Sequence, residues 1–243
     1  MTLKHEIKQL ALRMGVELRR FNPLESPDAR LLHQLQVHNI DLVIDVGAND
    51  GGYGRFLRGG GYTGRILSFE PLSKAHAALV AAVADDAKWF VAPRMALGES
   101  DGETKINIAG NSTSSSVLPM GELHQVAAPS SVYQGSESVM LRRLDSIEHE
   151  AISGAQSILL KIDTQGYEMP VLRGARQLLA RATGVQLELS VVALYEGQST
   201  YRDVIQWLSD EGFELWNVLP GFADPKSGRM LQFDGVFFKP NNY

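Results

Sequence analysis

Leu42-Val43-Ile44-Asp45-Val46-Gly47-Ala48-Asn49-Asp50-Gly51-Gly52 is the stretch that decides the fold. Leu42 to Val46 is a short apolar, β-branched run of the kind buried in a parallel sheet, and Tyr53 to Leu57 begins a helical pattern. The segment therefore reads as strand, loop, helix. A dinucleotide loop spaces its glycines as G-x-G-x-x-G so that backbone N–H groups approach a diphosphate. Here the glycines stand at Gly47 and Gly51, with Asn49 where a middle glycine would be. Asp50 would repel a phosphate bound at the helix start. A ligand with an ammonium, a sulfonium and an adenosine is attracted by Asp45 and Asp50 instead, which points to S-adenosylmethionine.

The next strand, Arg65 to Phe69, runs into Glu70-Pro71. A carboxylate at the end of the second strand accepts from both hydroxyls of a ribose, a logic shared by NAD and S-adenosylmethionine enzymes. Pro71 has no N–H and stops the strand, leaving the acid over the crevice. Alternation continues with strand 42–46, helix 53–59, strand 65–70, helix 73–84 and strand 88–92, then strand 158–162, helix 168–182, strand 185–191, helix 199–211, and strands 213–218 and 235–239. Such alternation predicts a doubly wound parallel sheet. Asp224-Pro225-Lys226-Ser227-Gly228 separates the last two strands, which can then pair antiparallel. The expected fold is α/β: a seven-stranded Rossmann-like sheet of the methyltransferase type with an antiparallel final strand.

Residues 95–143 break the pattern with Asp101-Gly102, an alternating run at 105–108 and the polar tract Asn111 to Ser116, which predicts a β-rich insertion carrying a flexible loop over 110–136. Residues 1–20 place Leu3, Ile7, Leu10, Met14 and Leu18 at helical spacing. An N-terminal helical cap over 1–38 is expected to precede a catalytic domain over 39–243, and it permits a homodimer.

The chain has 243 residues and a net charge of −5, without a long basic run, so nucleic acid is not an expected partner. Cysteine is absent, which excludes disulfides, Cys-ligated zinc and thiol nucleophiles. No apolar run approaches the roughly 20 residues of a membrane span, and the start lacks the apolar core of a signal peptide. A cytoplasmic location is the expectation.

A second constellation, Leu159 to Glu168, repeats the first design with Asp163 at the end of a strand and Glu168 at a helix start. Ligands of open α/β sheets bind beyond the carboxyl ends of strands, so Asp163 is well placed for chemistry. Glu168 serves either catalysis or the helix dipole. Glu188 on strand 185–191 is expected to approach both. These oxygens suit a divalent cation, but no spacing favours a metal site. An alcohol that attacks a methyl group loses its proton, and Asp163 is the first candidate base with His124 the second. The other five histidines show no ligand spacing.

The ordered set Asp45 to Gly51, Phe69-Glu70-Pro71, Ala96-Leu97-Gly98, Ser114-Ser115-Ser116, Leu144-Asp145 and Leu160 to Glu168 resembles the FkbM family of S-adenosylmethionine-dependent methyltransferases. The resemblance implies that Asp45, Gly47, Ala48, Asn49 and Gly51 hold the methionine end of the cofactor, that Glu70, followed by Pro71, holds its ribose, and that Met95, Ala96 and Leu97 lie near its adenine, with Asp163 close by. It further implies transfer of a methyl group to a hydroxyl of a carbohydrate or polyketide-type product, a small-molecule or glycan acceptor. Asp50 and Gln165 depart from the family, which usually has an aliphatic residue and an acid there. Two other functions compete: an NAD-dependent oxidoreductase, which shares Glu70 but lacks the spaced glycines, and a non-catalytic subunit that binds S-adenosylmethionine or a nucleoside.

Overall fold

The computed structural model describes residues 3–240. Two helices, α1 (Leu3–Arg13) and α2 (Pro27–Val37), lead into β1 (Leu42–Val46), α3 (Gly52–Gly59), β2 (Arg65–Phe69), α4 (Ser73–Ala82) and β3 (Trp89–Val91). Strands β4 (Ala96–Leu97) and β5 (Gly102–Ala109), helix α5 (Glu122–Ala127) and β6 (Tyr133–Arg142) follow. The chain closes with α6 (Glu150–Ser153), β7 (Ile158–Ile162), α7 (Glu168–Arg173), α8 (Arg176–Arg181), β8 (Gly184–Ser190), α9 (Tyr201–Asp210), β9 (Glu214–Pro220) and β10 (Gln232–Phe238).

The main sheet has seven strands in the order β3-β2-β1-β7-β8-β10-β9. β10 lies between β8 and β9 and runs antiparallel to both, while the pairs from β3 to β8 are parallel. Strand order reverses between β1 and β7, which leaves a crevice beyond their carboxyl ends. Side chains alternate across the sheet: Leu42, Ile44 and Val46 enter a core shared with α7, α8 and α9, while Val43 packs with Leu31, Leu57 and Leu79 on the other face. The predicted β-rich insertion forms a separate three-stranded sheet, β4-β6-β5, beside the crevice.

Three expectations need correction. The helix drawn over 1–20 stops at Arg13, because Gly15 at φ 75° closes it with Val16 N–H donating back to the Ala11 carbonyl at 2.8 Å. Its apolar residues Ile7, Leu10 and Met14 are exposed. The helix drawn over 168–182 breaks in two at Gly174, where a Cβ would lie 1.9 Å from the Gly98 carbonyl oxygen. Asp145 then starts α8 by accepting from the N–H groups of Gln177 and Leu178 at 2.9 and 3.0 Å. Finally, 110–136 is not one flexible loop: α5 forms inside it and buries His124. No helix among the described residues is long and apolar enough to cross a membrane.

Candidate active site

The loop after β1 bends sharply because Gly47 adopts φ 81°, and a Cβ there would sit 1.9 Å from the Asp163 carbonyl oxygen. Only glycine lets the loops after β1 and β7 approach so closely. Gly47 and Ala48 N–H groups donate to the Phe69 carbonyl at 3.0 Å, and Asp163 N–H donates to Val46 at 2.9 Å. Three strand ends are thereby tied together.

Glu70 sits at their meeting point, 4% exposed. One carboxylate oxygen accepts from Asn49 N–H at 2.7 Å and the other from Leu72 N–H at 2.8 Å. Each oxygen keeps lone-pair capacity beyond that one donor. Burial pushes this carboxyl up to about 7, against the pull of its two N–H donors.

A buried polar row crosses the sheet behind the crevice. Ser68, Asp45, Lys161 and Gln186 are register partners on β2, β1, β7 and β8 and so share one face. Asp45 is 0% exposed, and its carboxylate lies 3.4 Å from the Lys161 ammonium without an aligned hydrogen bond. Burial raises its proton affinity, opposed by Lys161. Burial works against the Lys161 ammonium, but Asp163 and Asp45 outweigh it and hold the group above the ordinary lysine range. Tyr53 from α3 roofs this row, its ring 5.1 Å from the ammonium and its hydroxyl donating to Gln186 at 2.7 Å.

Lys161 also donates to Asp163 Oδ2 at 3.4 Å, and Gln165 Nε2 donates to Asp163 Oδ1 at 2.8 Å and to Glu188 Oε2 at 2.9 Å. Gln165 takes the left-handed backbone, φ 53°, and its amide oxygen accepts from the Tyr195 hydroxyl at 2.9 Å. Glu168 turns inward under this loop: its Oε1 accepts from Thr164 N–H, the Thr164 hydroxyl and Gly166 N–H at 3.0, 3.2 and 3.0 Å. Burial pushes that carboxyl up to about 7.

These groups frame a cleft of about 470 Å³, within the range of small-molecule sites. Of the residues expected to contact a cofactor, Gly47, Ala48, Asn49, Glu70, Pro71, Met95, Ala96, Leu97 and Asp163 line it. Asp45 and Gly51 are set behind its wall, Asp45 in the polar row and Gly51 at φ 88° as the turn that starts α3. Asp50 reaches the rim but pairs with Arg55 at 3.0 Å. Asp163 faces the cleft with its side chain 37% exposed, and Glu188 lines it too. Glu168 does not; it braces the loop that carries Asp163. His124 lines the cleft while 2% exposed, stacked edgewise on Tyr195 at 5.1 Å, and burial lowers its proton affinity. Among the described residues no group of three or more His, Cys, Asp or Glu is arranged to hold a metal ion.

Residues 45–215 match the methyltransferase FkbM domain. The chain belongs to this family. As an FkbM-family methyltransferase it draws its methyl group from S-adenosylmethionine. The Glu70 carboxylate, with a free lone pair on each oxygen for a ribose hydroxyl, fits that cofactor. The expectation of an NAD-dependent oxidoreductase is thereby set aside. No curated protein matches the chain. Solved structures of similar shape include the methyltransferase domain of bacterial CtHen1, at TM-score 0.48 and 11% identity over 91% of this chain and 100% of that one. An rRNA methylase from Streptococcus thermophilus follows at 0.47 and 10%, over 93% and 100%. Aeropyrum pernix fibrillarin with bound S-adenosylmethionine gives 0.42 and 14%, over 81% and 66%.

Sequence reasoning missed the row through Lys161, Ser68 and Gln186. For Lys161 the signal was present as a single charged residue inside an otherwise apolar strand, Leu159-Leu160-Lys161-Ile162.

Proposed function

We propose that this methyltransferase acts on a hydroxyl of a neutral, polyhydroxylated acceptor, a carbohydrate or polyketide-type product. The observation that carries this reading is the charge of the cleft wall. Asp50, Glu70, Asp163 and Glu188 line it, and Lys161 is the one Lys or Arg among the described residues that does so. That ammonium is already committed to Asp45 and Asp163. A phosphodiester chain finds no free cation there, whereas nucleic-acid sites gain most of their affinity by neutralising phosphates. Asn111, Ser112, Thr113, Ser114, Ser115 and Gln232 add uncharged donors and acceptors suited to hydroxyl groups.

S-adenosylmethionine, when bound, supplies an electrophilic methyl group. Glu70 holds the ribose, and Gly47, Ala48 and Asn49 bring backbone against the methionine end. Met95, Ala96 and Leu97 border the adenine. Asp163, aimed by Lys161 and Gln165, takes the proton of the acceptor hydroxyl, a role that typically contributes about 10²–10⁴ in rate. Glu168 is a positioning residue that keeps Asp163 in place. His124, which also lines the cleft, is the alternative base should Asp163 not serve.

The test is transfer of labelled methyl groups from S-adenosylmethionine to a panel of methyl glycosides, macrolactone alcohols and short RNA, with the product bond located by NMR. An O-methyl ether on a glycoside or macrolactone is expected, and it should fall by at least about 100-fold in Asp163→Asn. Methylation of RNA alone would overturn the reading.

A further inference from the structure

Five carboxyl groups gather near Lys161 on β7: Asp45 on β1, Asp163 after β7 and Asp234 on β10 act on its ammonium, and Glu188 on β8 feels that ammonium together with Asp163, Asp234 and Glu168 on α7. Like charges this close in a partly desolvated site cannot all ionise, so protons are retained within the cluster. Their location follows from the hydrogen bonds. Asp163 is approached by Lys161 on one oxygen and the Gln165 amide on the other. Glu168 has three donors on Oε1. Asp234 accepts from Gln186 at 2.8 Å.

Glu188 differs. It stands directly opposite Asp234 across the antiparallel β8 and β10 pair, which puts two acids side by side. Both of its donors, Gln165 Nε2 at 2.9 Å and Gln232 Nε2 at 2.5 Å, reach the same oxygen, Oε2. Among the described residues Oε1 receives no hydrogen bond. Burial, followed by the charges of Asp163, Glu168 and Asp234, raises the group well above the ordinary carboxylate range, with Lys161 opposing. A carboxylic acid with two donors on Oε2 carries its proton on Oε1, and Glu188 lines the cleft.

We propose that Glu188 determines acceptor specificity as a neutral hydrogen-bond donor, its Oε1–H binding an acceptor oxygen that neighbours the hydroxyl to be methylated. This rests on the reading of Asp163 as the proton acceptor. The Gln165 amide bridges the two acids, so one ligand with two adjacent oxygens spans them: the reacting hydroxyl gives its proton to Asp163 while its neighbour accepts from Glu188. The chemical class selected is a 1,2-diol or a hydroxy-ether, as on the ring of a sugar. An isolated alcohol satisfies only half of the pair and forgoes the hydrogen bond from Glu188.

Two measurements on the full chain test this. In protein labelled with ¹³C at the glutamate carboxyl carbon, the Glu188 signal is assigned by its loss in Glu188→Gln. It is expected to keep the shift of a protonated acid at pH 7, where an ordinary exposed glutamate is ionised. Titration together with ordinary exposed glutamates overturns the proposal. In the second, methyl glycopyranosides and cyclohexanol are titrated by saturation-transfer NMR into protein saturated with S-adenosylhomocysteine. Glu188→Gln keeps an N–H donor and is expected to bind the glycosides within about threefold of the native chain, while Glu188→Ala weakens them by about tenfold and leaves cyclohexanol unchanged. Equal binding by Glu188→Ala and the native chain overturns the proposal, as does equal loss in both variants, which would mean that an ionised carboxylate is needed. A protonated Glu188 in a protein that binds none of the glycosides refutes the carbohydrate reading alone.

Discussion

Replacing Lys161 by Met removes the one cation within reach of Asp45 and keeps a side chain of similar length. Asp45 is fully buried, 3.4 Å from the ammonium, and has no aligned hydrogen bond to fall back on. At an effective dielectric constant of about 20 that contact amounts to roughly 5 kcal/mol of gross Coulomb energy. Removal of one member of a buried pair typically costs about 3–5 kcal/mol, because the partner is left charged and dry. Loss of the second contact, to half-exposed Asp163, adds about 1 kcal/mol or less after solvent screening. The variant is therefore expected to lose about 3–5 kcal/mol at pH 7 in urea unfolding followed by circular dichroism. Without Lys161 the Asp45 carboxyl holds its proton to still higher pH than in the unfolded chain. Its contribution is thus fully present at low pH and lost as pH rises, so the deficit should shrink toward pH 5. The double variant Asp45→Asn, Lys161→Met removes both charges and should recover most of the loss. A single variant within about 1 kcal/mol of the native chain at pH 7, or a double variant as unstable as the single, would refute the reasoning.

Gly47→Ala places a methyl group against the Asp163 carbonyl at a positive φ, and is expected to cost more than about 2 kcal/mol and to abolish S-adenosylmethionine binding, as read by thermal unfolding and calorimetry. Glu70 and Glu168 both rise from 4.5 to about 7 on folding. Each holds its proton longer in the folded chain, so their shared stabilisation, on the order of a few kcal/mol, is full below pH 4.5 and disappears as pH climbs through 7. Melting temperatures measured from pH 5 to 8 should show that decline. Glu168→Gln preserves the Oε1 acceptor for Thr164 and Gly166 and should flatten the slope, whereas Glu168→Ala leaves two loop N–H groups unmet and should lower the melting temperature throughout.

Much of this arrangement was readable from the sequence because it is local. The strand, loop and helix of 42–59, the acid after the second strand and the antiparallel last strand each follow from a run of a few residues. The wall of the cleft was harder. Asp45 and Lys161 are 116 positions apart, and only the register of β1 against β7 shows that the acid faces a lysine. The break at Gly174 arises from the distant Gly98 carbonyl, which no helical periodicity reports. His124 falls in a stretch whose sequence predicts a flexible loop, yet α5 folds it onto Tyr195 and Phe222. Glu168 looked equally suited to catalysis and to a helix start; the structure turns it under the loop, where it ties down the backbone that carries Asp163.

The central claim is that the crevice beside Glu70 holds S-adenosylmethionine and presents it to Asp163. Isothermal calorimetry of the native chain and of Glu70→Ala with S-adenosylmethionine, with NAD as control, tests it most directly. Saturable binding by the native chain, at least about tenfold weaker in the variant and absent with NAD, is the expected result. Equal affinity in both proteins, or none in the native chain, would contradict it.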